Sequence, residues 1–229
     1  MLTLGIDTSA TMISVALADN TTLLGEFFAH SRQNHSASLL PMIDALLHHC
    51  GRTIAEVDRF CVTQGPGSFT GLRIGVATAK GLATAQNKPC AGVSTLAAMA
   101  AGAAALQGTL CCAMDARREQ VYAALFRGGE RLCDDEALPI TELEKKLSGP
   151  MWFLGDGAQL CHSTMQPRGD WLLAPEQLRY QRAYGAILAA AETDYRSATE
   201  LRATYLRPSQ AERLRTVTLE DKIPKKDST

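Results

Sequence analysis

Residues 63–81 read TQGPGSFTGLRIGVATAKG. Gly65, Gly67, Gly71 and Gly75 stand between an apolar run at residues 60–63 and a helical pattern that continues to about Gln86. A strand that turns through glycines into a helix presents bare backbone N–H groups at a helix N-terminus, and these attract phosphate and other anions. The same glycines serve a second use. Gly71, Gly75 and Ala79 recur every four residues, share one helix face, and let a second helix come close. The stretch is not G-x-x-x-x-G-K-[ST], because no Lys-Ser or Lys-Thr follows its glycines. Nor is it G-x-G-x-x-G, because Ser68, Phe69 and Thr70 separate Gly67 from Gly71. At most it holds an anion weakly, with Ser68 or Thr70 as helix cap.

Upstream of this stretch, apolar runs at residues 2–6, 12–18 and 23–28 are separated by DTSAT and by Asp19-Asn20, and predict three antiparallel strands. The period then changes. Leu39, Ile43, Leu46 and Leu47 form a helical stripe from about Ser36 to Cys50, with Ser36 or Ser38 as cap and Pro41 in the first turn or at a kink. Thr53 and Glu56 have capping-box spacing. Downstream, residues 90–93 form a strand and Ser94 caps an Ala-rich helix. The order is βββαβαβα, and it recurs. Residues 110–114 end at Asp115, 121–126 and 131–133 are strands, 141–147 a weak helix and 151–154 a strand. Gly155-Asp156-Gly157 then leads into a helix, and 184–193 form another. Asp7 and Asp115 each close a first strand, which reads as an internal duplication. The expected units are a first lobe at 1–107, a second at 108–208 and a polar tail at 209–229.

The chain has 229 residues, 46% hydrophobic and 21% charged, with net charge −1. That is enough to bury a core, and the charge disfavours unaided nucleic-acid binding. The seven cysteines are odd in number and include no C-x-x-C pair, which predicts a reducing cytoplasm rather than a disulfide framework or zinc site. MLTLGIDTSA does not read as a signal peptide, and the Ala-rich stretch at 96–106 is too short to span a bilayer.

Several constellations could carry chemistry. Asp7-Thr8-Ser9 follows a buried strand, where an acid beside hydroxyls can orient Mg²⁺ and phosphate or simply bond its own turn. A duplicated βββαβαβα unit with an acid at each first hairpin is the plan of the actin-like ATPases, which have a ribonuclease H-like α/β fold. The two turns here read DTSAT and DARRE and contain no glycine, so Cβ atoms crowd a close phosphate. The residues therefore favour a degenerate nucleotide or anion site over an ATPase or small-molecule kinase working through Asp7 and Asp115. That site comprises Asp7, Thr8, Ser9, Gly67, Ser68, Asp115, Arg117 and Arg118. Arg117 and Arg118 either recognise an anion or partner or belong to a solvated turn, and the sequence leaves both open. No two histidines have the i, i+4 spacing of a helical metal pair, so no metal is expected. The helices at about 36–50 and 70–86 are apolar on more than one side. The second face is covered either by the chain's own second lobe or by another helix pair. In the latter case the interface is Leu39, Ile43, Leu46, Leu47, Gly71, Leu72, Gly75, Thr78, Ala79 and Leu82.

LGIDTSATMISVAL, HSASLLPMIDALL, TQGPGSFTGLRIGVATAKGLA, AMDARREQVYAALF, GDG and YLRP together resemble the TsaB (YeaZ) family of the bacterial threonylcarbamoyladenosine pathway, from Leu2 to about Pro208. The resemblance implies an actin-like two-lobe fold and a non-catalytic paralogue of TsaD. TsaD transfers threonylcarbamoyl from threonylcarbamoyl-AMP to N6 of the adenosine following the tRNA anticodon. It also implies pairing with TsaD through first-lobe helices, a small ATPase, TsaE, as further partner, and a homodimer through a similar surface when alone. tRNA is then contacted through TsaD, and no cofactor is required beyond weak nucleotide binding. TsaD holds its metal with H-x-x-x-H, a pair this chain lacks.

Overall fold

The computed structural model describes residues 1–30, 34–165 and 169–207, so the polar tail expected at 209–229 lies outside the described residues. The first half runs β1 (Leu2–Asp7), β2 (Met12–Asp19), β3 (Thr22–His30), α1 (His35–His49), β4 (Arg59–Gly65), α2 (Phe69–Ala85), β5 (Cys90–Ser94) and α3 (Thr95–Gly102). The sheet order is β3-β2-β1-β4-β5. β1 pairs antiparallel with β2 and parallel with β4.

The sheet has two unlike faces, and alternation along the strands sets them. Leu2, Leu4 and Ile6, with Ile13, Val15 and Leu17, pack against Leu39, Ile43, Leu46, Val76, Ala79 and Ala83 of α1 and α2. The intervening Ala16 and Ala18 face the other way, with Cys61, Ala91 and Val93, onto Ala98, Ala183, Ala186 and Ile187. Large aliphatics hold one helix layer and small residues admit another at close range.

The caps are mostly those the sequence predicts. Ser68 Oγ accepts from Gly71 N at 3.3 Å and Ser94 Oγ from Ala97 N at 3.2 Å. Glu56 accepts from the Thr53 backbone N–H at 2.7 Å. The exception is α1, which Asn34 caps through Ser36 N rather than Ser36 or Ser38, and Pro41 lies inside the helix. Asn34 takes the role because α1 starts one residue earlier than its apolar stripe suggests.

The second half runs β6 (Thr109–Asp115), β7 (Gln120–Arg127), β8 (Glu130–Arg131), β9 (Glu136–Pro139), α4 (Ile140–Lys146), β10 (Met151–Leu154), α5 (Ala158–Thr164), β11 (Trp171–Leu173), α6 (Glu176–Arg179) and α7 (Ala183–Ala189). Its sheet order is β11-β10-β6-β7-β8, with β9 also pairing β7. The third strand is therefore split between β8 and β9. α7 does not stay with this sheet. It packs on α3, β1 and β2 of the first half. Ala183 N donates to Ser14 Oγ at 3.1 Å and Tyr184 N to Glu26 Oε1 at 3.1 Å. The following chain runs along β5, where Cys90 and Arg196 exchange both backbone hydrogen bonds at 2.9 Å, and Thr204 N donates to Gln64 O at 2.7 Å. Part of the stretch 108–208, expected as the second lobe, thus lies on the first sheet. Among the described residues no helix is long and apolar enough to cross a membrane.

Candidate functional site

The glycine segment closes α2 down on the turn after β1. Ser68 N donates to Ser9 O at 2.7 Å. Thr8 Oγ1 donates to Gly71 O at 2.7 Å. A Cβ at Gly67 would stand 2.5 Å from Ser9 O, one at Gly71 2.0 Å from Thr8 O, and one at Gly75 2.3 Å from Thr8 Oγ1. The bareness of these positions is required by their own chain. The GDG motif does the same in the second half. Gly157 N donates to Ala113 O at 3.1 Å, and a Cβ at Gly155 would stand 1.9 Å from that oxygen.

In the lone chain most of the residues expected at the interface are turned inward. Gly71, Gly75 and Ala79 form an inward face, and Leu39, Ile43, Leu46, Leu47 and Leu72 are buried with them. Of the ten expected residues only Thr78 and Leu82 are half-buried. The side of the helix pair left to solvent is different. On α1 it carries Leu40, 53% exposed, with Pro41 and Asp44. On α2 it carries Ala77 and Gly81, flanked by half-buried Ile74 and Thr78, and nothing lies within 4 Å of the position of a Gly81 Cβ. Ile74, Ala77, Thr78 and Gly81 follow i, i+3, i+4, i+7, so a second stripe was present in the sequence beside the glycine face.

The anion-site residues gather around a cavity of about 350 Å³ between the two halves. Ser9, Gly67 and Ser68 line it from one side, Asp115, Arg117 and Asp156 from the other, and Tyr205 and Arg207 close it. Asp7 lies behind, fully buried. Its Oδ1 accepts from Ser9 N at 2.9 Å and Ser9 Oγ at 2.8 Å, while Oδ2 has no hydrogen-bond partner. Burial pushes its carboxyl above the usual carboxylate range, against the pull of the Ser9 donors. Thr8 faces Gly71 and Gly75 instead of the cavity. Asp115 Oδ1 accepts from Arg117 N at 2.7 Å and its Oδ2 pairs with the Arg117 guanidinium at 3.2 Å. Arg117, Arg118 and Glu119 all take positive φ, at 65°, 56° and 55°, so three side-chain-bearing residues make a left-handed turn where glycine is favoured. Arg118 is exposed.

Sequence reasoning missed Asp156. It accepts from Asp115 N at 3.3 Å and Gln181 Nε2 at 3.1 Å, and burial raises its carboxyl as well. The signal was the GDG turn, to which the sequence attached no role. Among the described residues no group of three or more His, Cys, Asp or Glu side chains is placed to hold a metal ion.

Two β-sheets of like order, each opened by an acid-ended hairpin and each closing a helix onto its first strand, make the duplicated α/β, actin-like arrangement. The family model TsaD: tRNA N6-adenosine threonylcarbamoyltransferase matches residues 23–161, more than half of the chain. The tRNA threonylcarbamoyladenosine biosynthesis protein TsaB of Bacillus subtilis is 34% identical over 167 residues, covering 70% of this chain and 73% of that one. The Escherichia coli protein of the same name is 39% identical over 132 residues, 57% of each chain. The structure of YeaZ from Pseudomonas aeruginosa superimposes with a TM-score of 0.75 at 26% identity, covering 90% of this chain and 99% of that one. The chain therefore belongs to the TsaB (YeaZ) family of tRNA threonylcarbamoyladenosine biosynthesis proteins.

Proposed function

We propose that the chain is a non-catalytic partner subunit that binds and activates TsaD for transfer of threonylcarbamoyl from threonylcarbamoyl-AMP to N6 of the adenosine following the tRNA anticodon. The docking surface is the outer face of α1 and α2: Leu40, Pro41, Asp44, Ala77, Thr78 and Gly81. The observation that carries this reading is that α1 leaves Leu40 exposed while α2 leaves the small residues Ala77 and Gly81 exposed, with open space at the Gly81 Cβ position. Such a face lets another helix pair approach to ridge-and-groove distance while burying apolar surface. The match to the TsaD family model spans both helices, which supports a partner built on the same helix pair and a four-helix contact. The first lobe, residues 1–107 with 183–207 folded onto it, is the docking half. Alone, the chain forms a homodimer through this face. TsaE joins the TsaD complex, tRNA is contacted through TsaD, and the complex works in the cytoplasm.

Ala77→Trp tests the reading, since Ala77 is exposed and its replacement leaves the core alone. The variant folds with an unchanged thermal midpoint and loses stimulation of tRNA modification by TsaD. Normal stimulation by a folded Ala77→Trp protein refutes the docking assignment. The interlobe cavity with its carboxylates favours a second reading, an ATPase or kinase using Asp7 and Asp115. Against it, Asp7 is buried behind Ser9 and Asp115 is paired within its own turn. Calorimetric titration of the lone protein with Mg-ATP separates the two, since tight binding with turnover supports only the second.

A further inference from the structure

Both outward helices are pinned by their N-terminal ends to residues 8–10 of one short stretch, 8–11. Thr8 Oγ1 donates to Gly71 O at 2.7 Å in the first turn of α2. Ser9 O accepts from Ser68 N, the cap of α2, at 2.7 Å. Ala10 O accepts from His35 Nε2, on the first residue of α1, at 2.8 Å. Three successive residues thus hold the start of two helices. A carbonyl only accepts, so His35 Nε2 carries the hydrogen, and its Nδ1 is buried without a partner. The bond to Ala10 is what the imidazole contributes here. The approach at Gly67, Gly71 and Gly75 is too close to leave slack. Close-packed elements move as units, so a shift of this stretch is passed on to the helices. The same stretch is also a wall of the interlobe cavity, to which Ser9, Ala10 and Thr11 all contribute.

We propose that Thr8 and His35 are positioning residues for the partner. They fix the angle and spacing of α1 against α2, and so the shape of the outer face that docks. This rests on the docking reading above. The 17 residues of α2 make a lever about 25 Å long, so a tilt of a few degrees at the pinned end moves the far end by about 1 Å. A face of small residues tolerates little of that.

The test uses the full chain with Thr8→Val, which keeps the shape and removes the hydroxyl, His35→Phe, which keeps the ring and removes the donor, and Thr8→Ser, which keeps the hydroxyl. Binding to TsaD is measured by titration calorimetry, and amide hydrogen exchange is followed in the first turns of α1 and α2. Thr8→Val and His35→Phe each weaken binding by about three- to ten-fold, the loss of one hydrogen bond's net worth, and speed exchange in those turns. Thr8→Ser behaves as the parent does. If both variants bind within about two-fold of the parent while Ala77→Trp abolishes binding, the positioning role is overturned and the docking face stands. If Ala77→Trp also binds normally, the docking reading fails. Should Thr8→Val not fold, His35→Phe carries the same comparison, and unchanged exchange at residues 35–39 overturns the proposal.

Discussion

Three glycines on one helix, changed to alanine one at a time, should give opposite results. In Gly81→Ala the new Cβ meets nothing within 4 Å. Removing a flexible residue from a helix interior then stabilises by about 0.5–1 kcal/mol. In Gly75→Ala the Cβ arrives 2.3 Å from Thr8 Oγ1, a side-chain atom that can rotate away only by giving up its bond to Gly71 O. The overpacking and the lost bond together outweigh the propensity gain, for a net destabilisation of about 1–3 kcal/mol. In Gly71→Ala the Cβ arrives 2.0 Å from a backbone oxygen, Thr8 O, where ordinary contact begins at 3.4 Å. Backbone cannot rotate away, so α2 must lift from the turn and strain both bonds that hold it, at a cost of about 3 kcal/mol or more. At this chain length each kcal/mol moves the thermal midpoint by about 2–4 °C. Adding Thr8→Ala separates the causes. It deletes the atom that Gly75→Ala strikes and leaves the one that Gly71→Ala strikes, so it should rescue the former by about 1 kcal/mol and not the latter. Circular dichroism melts of the single and double variants read all of this. Rescue of Gly71→Ala by Thr8→Ala, or equal shifts at Gly71 and Gly81, would falsify the packing argument. It follows that a bulky side chain at Gly75 tests folding rather than docking.

Glu26→Ala should loosen the attachment of α7. Glu26 accepts from Ser14 Oγ and Tyr184 N and faces Arg182 at 3.3 Å, so its loss should cost about 2–3 kcal/mol and expose residues 183–207 to limited proteolysis. An unchanged cleavage pattern and midpoint mean that α7 is held without Glu26, by its apolar contacts and the Ala183 N–Ser14 Oγ bond. Asp7→Asn should raise stability at neutral pH. Burial lifts the folded-state pKa of Asp7 above its unfolded value. The stability linked to it is therefore complete below the unfolded pKa and is lost as pH rises through the folded one. The asparagine variant removes that loss and flattens the pH dependence, while Asp156, raised in the same direction, keeps part of it. Urea titrations from acid to neutral pH check this, and a variant less stable at neutral pH contradicts the sign.

Local physics made most of the first half legible. β1, β2, β4, α1 and α2 carry enough apolar residues at period two or 3.6, bounded by Gly, Asn and Ser, to be placed within a residue or two. β9 and β11 were not legible. Glu136-Ala-Leu-Pro and Trp171-Leu-Leu are too short to show a period, and they become strands because β7 and β10 offer them an edge. Asp156 was visible only as part of a turn. Its place beside Asp115 and Gln181 depends on chain from three parts of the fold.

Residues 63–81 mark the division most clearly. The sequence by itself determined that Gly71, Gly75 and Ala79 share a face, because helical periodicity is a local property of the chain. It also narrowed the cap of the helix to Ser68 or Thr70, because a cap bond reaches only three residues ahead, and the structure gives that role to Ser68. What that face meets was beyond its reach, since a bare face suits a neighbour in the same chain as well as one in another. The tertiary structure decided it by placing Thr8, more than sixty residues away in sequence, directly against the glycines. That contact turns the second stripe, Ala77 and Gly81, toward solvent and any partner.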